Sequence, residues 1–355
     1  ANNMGADVMR WLYCSHRPEQ NLLFGYNKGD ETRRRFLIPL WNVYSFFVTY
    51  ANLDGWSPDG GQHTPTTSPN PANAQLDEWI LARLDETTLK ITEALENYDP
   101  QRATVAAENL LDDLSNWYVR RSRRRFWKSE ADADKEAAYA TLYRVLVDMA
   151  RLLAPMVPFM MEKMYQNLVR RVDPAAPVSV HHCFYPEADA GQLNYRLLDK
   201  MRLGIITAGL GRAARSAADI KLRQPLAQAR VNVGTAQERD DLRELADVLA
   251  EEINVKQLDI VSAVGELVNY KVLPNNRLLG PKYGAEFPRV RAALLARDPA
   301  QVAELLQESG RVHLTVYGRE VTLTDEEVLV QTESKGGLAV ASDRGVTVAV
   351  DTELT

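Results

Sequence analysis

Along the first two hundred residues, apolar side chains recur at the three- and four-residue spacings of helix faces. Over 33–53 they are denser: Phe36, Leu37, Ile38, Leu40, Trp41, Val43, Tyr44, Phe46, Phe47, Val48 and Tyr50 cover almost every face, which predicts a helix buried deep in a bundle. Residues 54–75 break the pattern. Gly55, Pro58, Gly60, Gly61, Pro65, Pro69 and Pro71 among Ser and Thr predict a loop, of a length uncommon unless mobile or functional. A second helix is expected over 76–98, with Leu76, Ile80, Leu84, Ile91 and Leu95 on one face. Asp99-Pro100 ends it and opens the next, with Asp99 as the cap and Pro100 in the first helical position. In the third helix Ala103, Ala107, Leu110, Leu114 and Trp117 draw a single seam. A fourth is seeded by Leu142, Val145, Leu146, Met149, Leu152 and Leu153, is broken by Pro155 and Pro158, and resumes over 159–168. Long amphipathic helices with short connections make an antiparallel bundle.

After Pro186 the pattern changes. One more helix is predicted over 195–218, followed by strands over 229–233, 257–261, 268–273, 312–317 and 321–323, with helices over 238–252 and 287–296. Near the end, 338–341 and 346–350 flank Ser342-Asp343-Arg344-Gly345, a hairpin signal. The expected fold class is therefore mixed: an N-terminal antiparallel α-helical bundle over 1–190, a connecting helix over 191–225, and a smaller C-terminal α+β domain over 226–355.

Composition narrows the class. At 355 residues the chain has room for two ordinary domains, and 45% hydrophobic with 25% charged residues exclude disorder and fibrous structure. No apolar run approaches the ~18 residues that span a bilayer, and the start shows no signal-peptide pattern, so neither a membrane protein nor a secreted one is expected. Two cysteines, Cys14 and Cys183, supply neither a disulfide framework nor a four-cysteine zinc site, which suits the cytoplasm. With 42 Lys and Arg against 48 Asp and Glu the net charge is −6, so a polyanionic partner requires a local basic patch.

One segment supplies such a patch. The run Asp113-Leu-Ser-Asn-Trp-Tyr-Val-Arg-Arg-Ser-Arg-Arg-Arg-Phe-Trp-Lys128 carries Arg120, Arg121, Arg123, Arg124, Arg125 and Lys128 with no acid after Asp113. Continued at its own spacing, the third helix's seam lands on Arg121, Arg124 and Lys128. Guanidinium groups buried unpaired are prohibitively costly, so the seam is expected to leave the core there. Phe126 and Trp127 interleave as stacking surface or hydrophobic anchor. Against this stands a solvated face compensated by Glu130, Asp132, Asp134 and Glu136. A second, irregular set comprises Lys221, Arg223, Lys271, Asn275, Asn276, Arg277 and Lys282, on loops marked by Pro and Gly.

No catalytic constellation accompanies these residues. His181-His182-Cys183, on an extended segment, would turn His181 and Cys183 to one side, too few ligands for a metal site. The glycines between Gly204 and Gly211 sit in a helical pattern and fail the context of a phosphate loop. Asp112-Asp113 and Glu251-Glu252 fall on amphipathic helices, as solvated faces. Neither catalytic nor metal-ligating residues are assigned.

The run 113–127 resembles the hallmark of isoleucyl-tRNA synthetases. Around it, in order, stand Gly5-Ala-Asp-Val-Met-Arg-Trp11, Pro39-Leu-Trp-Asn-Val-Tyr-Ser-Phe-Phe47, Leu76-Asp-Glu-Trp-Ile-Leu-Ala-Arg-Leu84, Leu153-Ala-Pro-Met-Val-Pro-Phe159, Ser179-Val-His181 leading to Tyr185-Pro-Glu187, and Lys221-Leu-Arg-Gln-Pro-Leu226. These pieces recur loosely in the valyl and leucyl enzymes; the Ser-Asn-Trp-Tyr-Val-Arg-Arg-Ser-Arg-Arg-Arg string selects isoleucyl. Beyond residue 226 the likeness is more diffuse, with Glu252-Ile-Asn-Val-Lys256 its best local match. The nucleotide-binding signatures His-Ile-Gly-His and Lys-Met-Ser-Lys-Ser are missing, as is any editing insertion. The resemblance therefore implies a piece from downstream of the catalytic core that stops short of a further helical segment. Having no four-cysteine zinc site, it resembles the eukaryote-like branch.

What the resemblance implies is a class I anticodon-binding bundle with an assisting α+β domain, a monomer whose partner is isoleucine tRNA rather than DNA or a membrane. The parent would use ATP and magnesium for aminoacylation; this segment would hold no cofactor. Trp117, Arg120, Arg121, Arg123, Arg124, Arg125 and Trp127 are carried over as the RNA-facing helix end, with Lys128 added by the basic run. Two other readings compete: a helical protein-interaction scaffold docking an acidic partner, and a self-contained enzyme using His181 or Cys183.

Overall fold

The helical half is built from segments whose ends are written in local chemistry. In the computed structural model, which describes residues 4–58, 71–128 and 132–352, the chain divides into two units, Ala1–Leu198 and Asp199–Thr355. The division falls inside the segment expected to be a connecting helix.

The first unit holds α1 (Ala6–Cys14), α2 (Tyr26–Thr32), α3 (Ile38–Asp54), α4 (Pro71–Glu96), α5 (Pro100–Asp112), α6 (Arg120–Trp127), α7 (Ala133–Leu153), α8 (Pro158–Tyr165) and the first turn of α9 (Tyr195–Ala217). Asp99 caps α5 by accepting the Arg102 N–H at 3.0 Å, with Pro100 behind it. Pro158 likewise occupies the first position of α8. Helix α4 packs against both α5 and α7, and Trp11, Trp79, Tyr118, Tyr139 and Tyr165 are fully buried within the unit.

Three wide, π-helical turns interrupt these helices, at Arg33–Leu37, Asp113–Val119 and Gln166–Arg170. Each accommodates an extra residue in one turn and so rotates the face that follows.

Two expectations need correction here. Residues 71–75 are the first turn and more of α4 rather than loop, because a proline is tolerated at a helix start; residues 59–70 lie outside the described ones. Helix α3 is not buried all round. Leu40, Val43, Tyr44, Phe47 and Ala51 face the core, but Ile38, Trp41 and Leu53 are exposed. Ile38 and Trp41 line an apolar groove of about 600 Å³ with Met4, Val8 and Phe159.

The second unit is α+β, as expected. It contains β1 (Leu226–Asn232), α10 (Ala236–Glu244), α11 (Ala246–Ile253), β2 (Val255–Val261), β3 (Val268–Pro274), α12 (Asn276–Tyr283), α13 (Phe287–Leu295), α14 (Pro299–Ser309), β4 (Arg311–Val316), β5 (Arg319–Thr324), β6 (Val328–Ser334), β7 (Leu338–Asp343) and β8 (Val346–Asp351). The main sheet runs β2-β1-β8-β7, with β1 and β2 parallel and joined through α10 and α11. β7 and β8 form the expected hairpin, its two-residue turn using Arg344 (φ 50°) and Gly345 (φ 80°), the left-handed pair such a turn demands. Two antiparallel pairs, β3–β6 and β4–β5, accompany α12–α14, and Leu279, Val290, Leu294, Val302, Val312, Leu314 and Leu323 form their core.

The sequence patterns did not reveal α12, α14 or β6, and the single helix expected over 238–252 is two, broken at Leu245. The glycines of α9 acquire a packing role. A Cβ on Gly204 would meet Leu245 at 2.8 Å and one on Gly211 would meet Ile253 at 2.6 Å, so both allow α9 to approach its neighbours closely. Among the described residues no helix is long and apolar enough to cross a membrane.

Candidate nucleic-acid interface

The basic run sits at the end of a helix that continues from α5 through the wide turn Asp113–Val119 into α6. Ala103, Ala107, Leu110, Leu114 and Trp117 are buried, as their spacing requires. The wide turn then shifts the register, and the next inward positions are Tyr118, Ser122, Arg125 and Phe126. Arg124 and Lys128, extrapolated onto the seam, are exposed, and Arg121 is half-buried. The cationic tip therefore faces outward by rotation of the helix.

Arg125 goes the other way, which corrects its assignment to the RNA-facing set. It is 3% exposed. Its two terminal nitrogens donate to the two carboxylate oxygens of Asp77, each at 2.7 Å, and its Nε and Nη2 donate to the Asp134 carbonyl at 3.2 and 2.8 Å. The Asp134 carboxylate lies 3.1 Å from Nε. Tyr118 donates its hydroxyl to Asp77 at 2.6 Å. Burial alone would lower the Arg125 pKa, but the hydrogen bonds and charge of Asp77 more than offset it and the pKa is raised. Burial, and then the Asp77 charge, push the Tyr118 phenol far above its usual range. The forked pairing ties α6 to α4 and α7 from inside.

Trp117 is likewise buried, at 3% exposure, with its indole N–H unpartnered. Its role as an RNA-facing ring is corrected to that of a pedestal. The guanidinium groups of Arg120 and Arg121 stand 5.9 and 5.7 Å from its ring centroid, within cation–π range. Arg120 also donates from Nε to the Asn116 carbonyl at 2.8 Å. These contacts limit how far the two cations wander.

Lys128 is exposed, but its ammonium lies 3.0 Å from Asp132 and 3.2 Å from Asp134, and the hydrogen bond to Asp132 raises its pKa. It is a locally neutralised link between α6 and α7. Phe126 is a core ring set edge-on to Tyr139 at 4.9 Å. What remains outward is Arg120, Arg123 and Arg124, with Arg121 at the margin and Trp127 56% exposed.

The second basic set is dispersed. Lys221 and Arg223 are exposed on the turn before β1. Lys271 projects from β3, and Asn276 and Arg277 are exposed at the start of α12. Asn275 and Lys282 are tied to one turn: Asn275 donates to the Glu326 carbonyl at 2.9 Å and Lys282 pairs with Glu327 at 2.6 Å. Lys282 is thereby compensated, and the hydrogen bond it donates to Glu327 raises its pKa.

The remaining motifs resolve structurally. Val180–His182 is a 3₁₀ turn capped by Ser179, so the extended alternation expected for His181 and Cys183 does not apply. Asp113 and Glu252 are not solvated. Asp113 pairs with Arg83 at 2.8 Å, with burial raising its pKa, and buried Glu252 pairs with Arg212 at 3.2 Å. Among the described residues no group of three or more His, Cys, Asp or Glu could hold a metal ion. Among the buried charges that the sequence patterns did not single out, Arg215, inside a helical stretch, is the most enclosed, at 1% exposure.

Residues 77–231 match the family of anticodon-binding domains of tRNA ligases. The chain is 44% identical over 353 residues to an isoleucine–tRNA ligase of Thermus thermophilus, covering 99% of this chain and 33% of that protein. It is 37% identical over 355 residues to one of Clostridium acetobutylicum, covering 100% of this chain and 33% of that protein. With one of Streptomyces avermitilis it shares 39% identity over 353 residues, 99% of this chain and 32% of that protein. The chain thus spans about a third of the length of the curated relatives it matches.

Proposed function

We propose, from the premise that the chain belongs through residues 77–231 to the anticodon-binding domain family of tRNA ligases, that it holds the anticodon arm of isoleucine tRNA. Arg120, Arg121, Arg123 and Arg124 neutralise phosphates, and Trp127 offers its exposed face to an unstacked base. The observation that carries this reading is the outward turn of Arg120, Arg123, Arg124 and Trp127, with Arg121 at the margin, at one helix end inside the matched segment. Phosphate contacts supply affinity; discrimination comes from bases splayed out of the anticodon loop.

Aminoacylation belongs, on this reading, to the remainder of a longer ligase, where ATP and magnesium would act. This segment contributes positioning of the RNA and no chemical step. The same reading takes the protein as a cytoplasmic monomer, which its free thiols Cys14 and Cys183 suit. Assignment to the eukaryote-like branch rests on the cysteine count. The scaffold reading is not favoured, because the similar proteins are tRNA ligases.

Filter binding of isoleucine tRNA against a tRNA of different anticodon tests the proposal. Tighter binding of the isoleucine species, lost when Arg123, Arg124 and Trp127 are replaced together by Ala, is expected. Equal binding of both tRNAs, or a preference surviving that triple substitution, would overturn it.

A further inference from the structure

Arg215 sits in the last turn of α9, within the second unit, and is the most enclosed charge there. Among the described residues no carboxylate lies within ion-pair distance of it. Its Nη2 donates to the Lys221 carbonyl at 2.7 Å and to the Gln224 carbonyl, and its Nη1 reaches the Asn254 carbonyl at 3.5 Å. Its Nε is buried without a partner. Burial lowers its pKa and no neighbouring charge opposes the shift. A guanidinium remains charged even so. Carbonyl dipoles solvate that charge without cancelling it, and a buried cation lacking a counter-ion is costly.

A cavity of about 320 Å³ opens beside this group, lined by Arg212, Arg215, Ser216, Asp219 and Lys221 among others. Arg212 is held by Glu252 at 3.2 Å. Lys221 is exposed, and so is Asp219, whose charge water and salt screen. The uncompensated charge in the cavity is therefore the buried one, in the low-dielectric surroundings where it acts most strongly. The wall is also preformed. Asn254, itself left-handed at φ 57°, donates from its side chain to the Leu222 carbonyl at 2.7 Å. The Lys221 N–H donates to the Gln224 side chain at 3.0 Å, and the Gln224 N–H returns to the Lys221 carbonyl at 3.0 Å.

We infer that this cavity takes a phosphate oxyanion, held at its rim by Arg212 and Lys221 over the buried, uncompensated charge of Arg215. Naming an RNA backbone as its source rests on the tRNA-binding reading above; the oxyanion site itself does not. The chemistry is recognition only: donors and positive charge meeting phosphate oxygens.

The test titrates inorganic phosphate, at constant ionic strength, into the full ¹⁵N-labelled chain while following arginine Nε–H resonances. A saturable shift of Arg215 is expected, beyond that of the exposed arginines. Arg212→Gln with Lys221→Gln should weaken it about tenfold, the effect of removing one half-buried and one exposed charge, and Asp219→Asn should strengthen it. These variants leave the Arg215 contacts to the turn intact, so they remain informative where an Arg215 variant fails to fold. An Arg215 resonance that moves no more than exposed arginines, or an affinity indifferent to all three substitutions, overturns the site and leaves Arg215 a clamp on the 221–224 turn.

In the RNA arm, the double variant should lower the slope of log affinity against log salt by about 0.7, one single-stranded phosphate contact. A saturable phosphate shift with an unchanged slope keeps the oxyanion site and removes RNA as its source. Loss of anticodon preference with the phosphate shift retained would sink the tRNA reading and leave this site standing.

Discussion

Replacing Arg125 by Met should destabilise the helical unit without touching its RNA surface. The guanidinium and its Asp77 partner have side chains 3% and 10% exposed, and the pair is bidentate at 2.7 Å. Removing one member of a buried ion pair leaves the other charged and uncompensated, which costs about 3–5 kcal/mol. Asp77 would keep only the Tyr118 hydroxyl, and the Asp134 carbonyl would lose two donors. The double replacement Asp77→Leu with Arg125→Met removes both charges, so it should cost less than the two single changes summed, by about 1–3 kcal/mol of coupling. Urea unfolding followed by tryptophan fluorescence isolates the relevant unit, because all six tryptophans lie within Ala1–Leu198. In parallel, the salt slope of tRNA binding should be unchanged at denaturant concentrations where the Met variant remains folded. A loss below about 1 kcal/mol, or a slope reduced by the ~0.7 of one phosphate contact, would show that Arg125 is an RNA ligand and that its burial is not what holds it.

Three further outcomes are expected. Gly211→Ala forces a methyl to within 2.6 Å of Ile253 and should destabilise the second unit by about 1–3 kcal/mol, measured by the amide protection of α11. Asp99→Ala removes the cap of α5 and should cost about 1 kcal/mol in urea unfolding, with Asp99→Asn nearly neutral. Asp132 has its carboxyl pKa lowered, first by the Lys135 N–H and then, against the penalty of burial, by Lys128. Its stabilisation is therefore full above the unfolded carboxyl pKa of about 3.9 and lost as pH falls through the folded value, so Asp132→Asn should flatten the acid limb of the stability profile. An acid limb identical to that of the parent chain would contradict the capping geometry.

Much of the architecture was legible where local chemistry and pattern agree. Asp99-Pro100 marks a helix start, Pro155 and Pro158 mark a break, and Ser342-Asp343-Arg344-Gly345 marks a hairpin, because each states a backbone requirement within four residues. The site was legible as a run of cations but not as a surface. Spacing extrapolated from Ala103 to Trp117 assumes 3.6 residues per turn, and the wide turn Asp113–Val119 breaks that assumption just where it matters. Arg125 consequently falls inside while Arg124 stays out, whereas Trp117 is inside as its spacing requires. Glu252 and Asp113 read as solvated because their partners, Arg212 and Arg83, lie on other helices. Helix α12 carries Gly280 and Pro281, which read as a turn until the packing of Leu279 outweighs them.

The outward set can be questioned by one titration: tRNA affinity against salt for the parent chain and for Arg120→Gln, Arg123→Gln and Arg124→Gln combined. Three lost phosphate contacts should reduce the slope by about 2. A slope equal to that of the parent chain would contradict the placement of RNA on the end of α6.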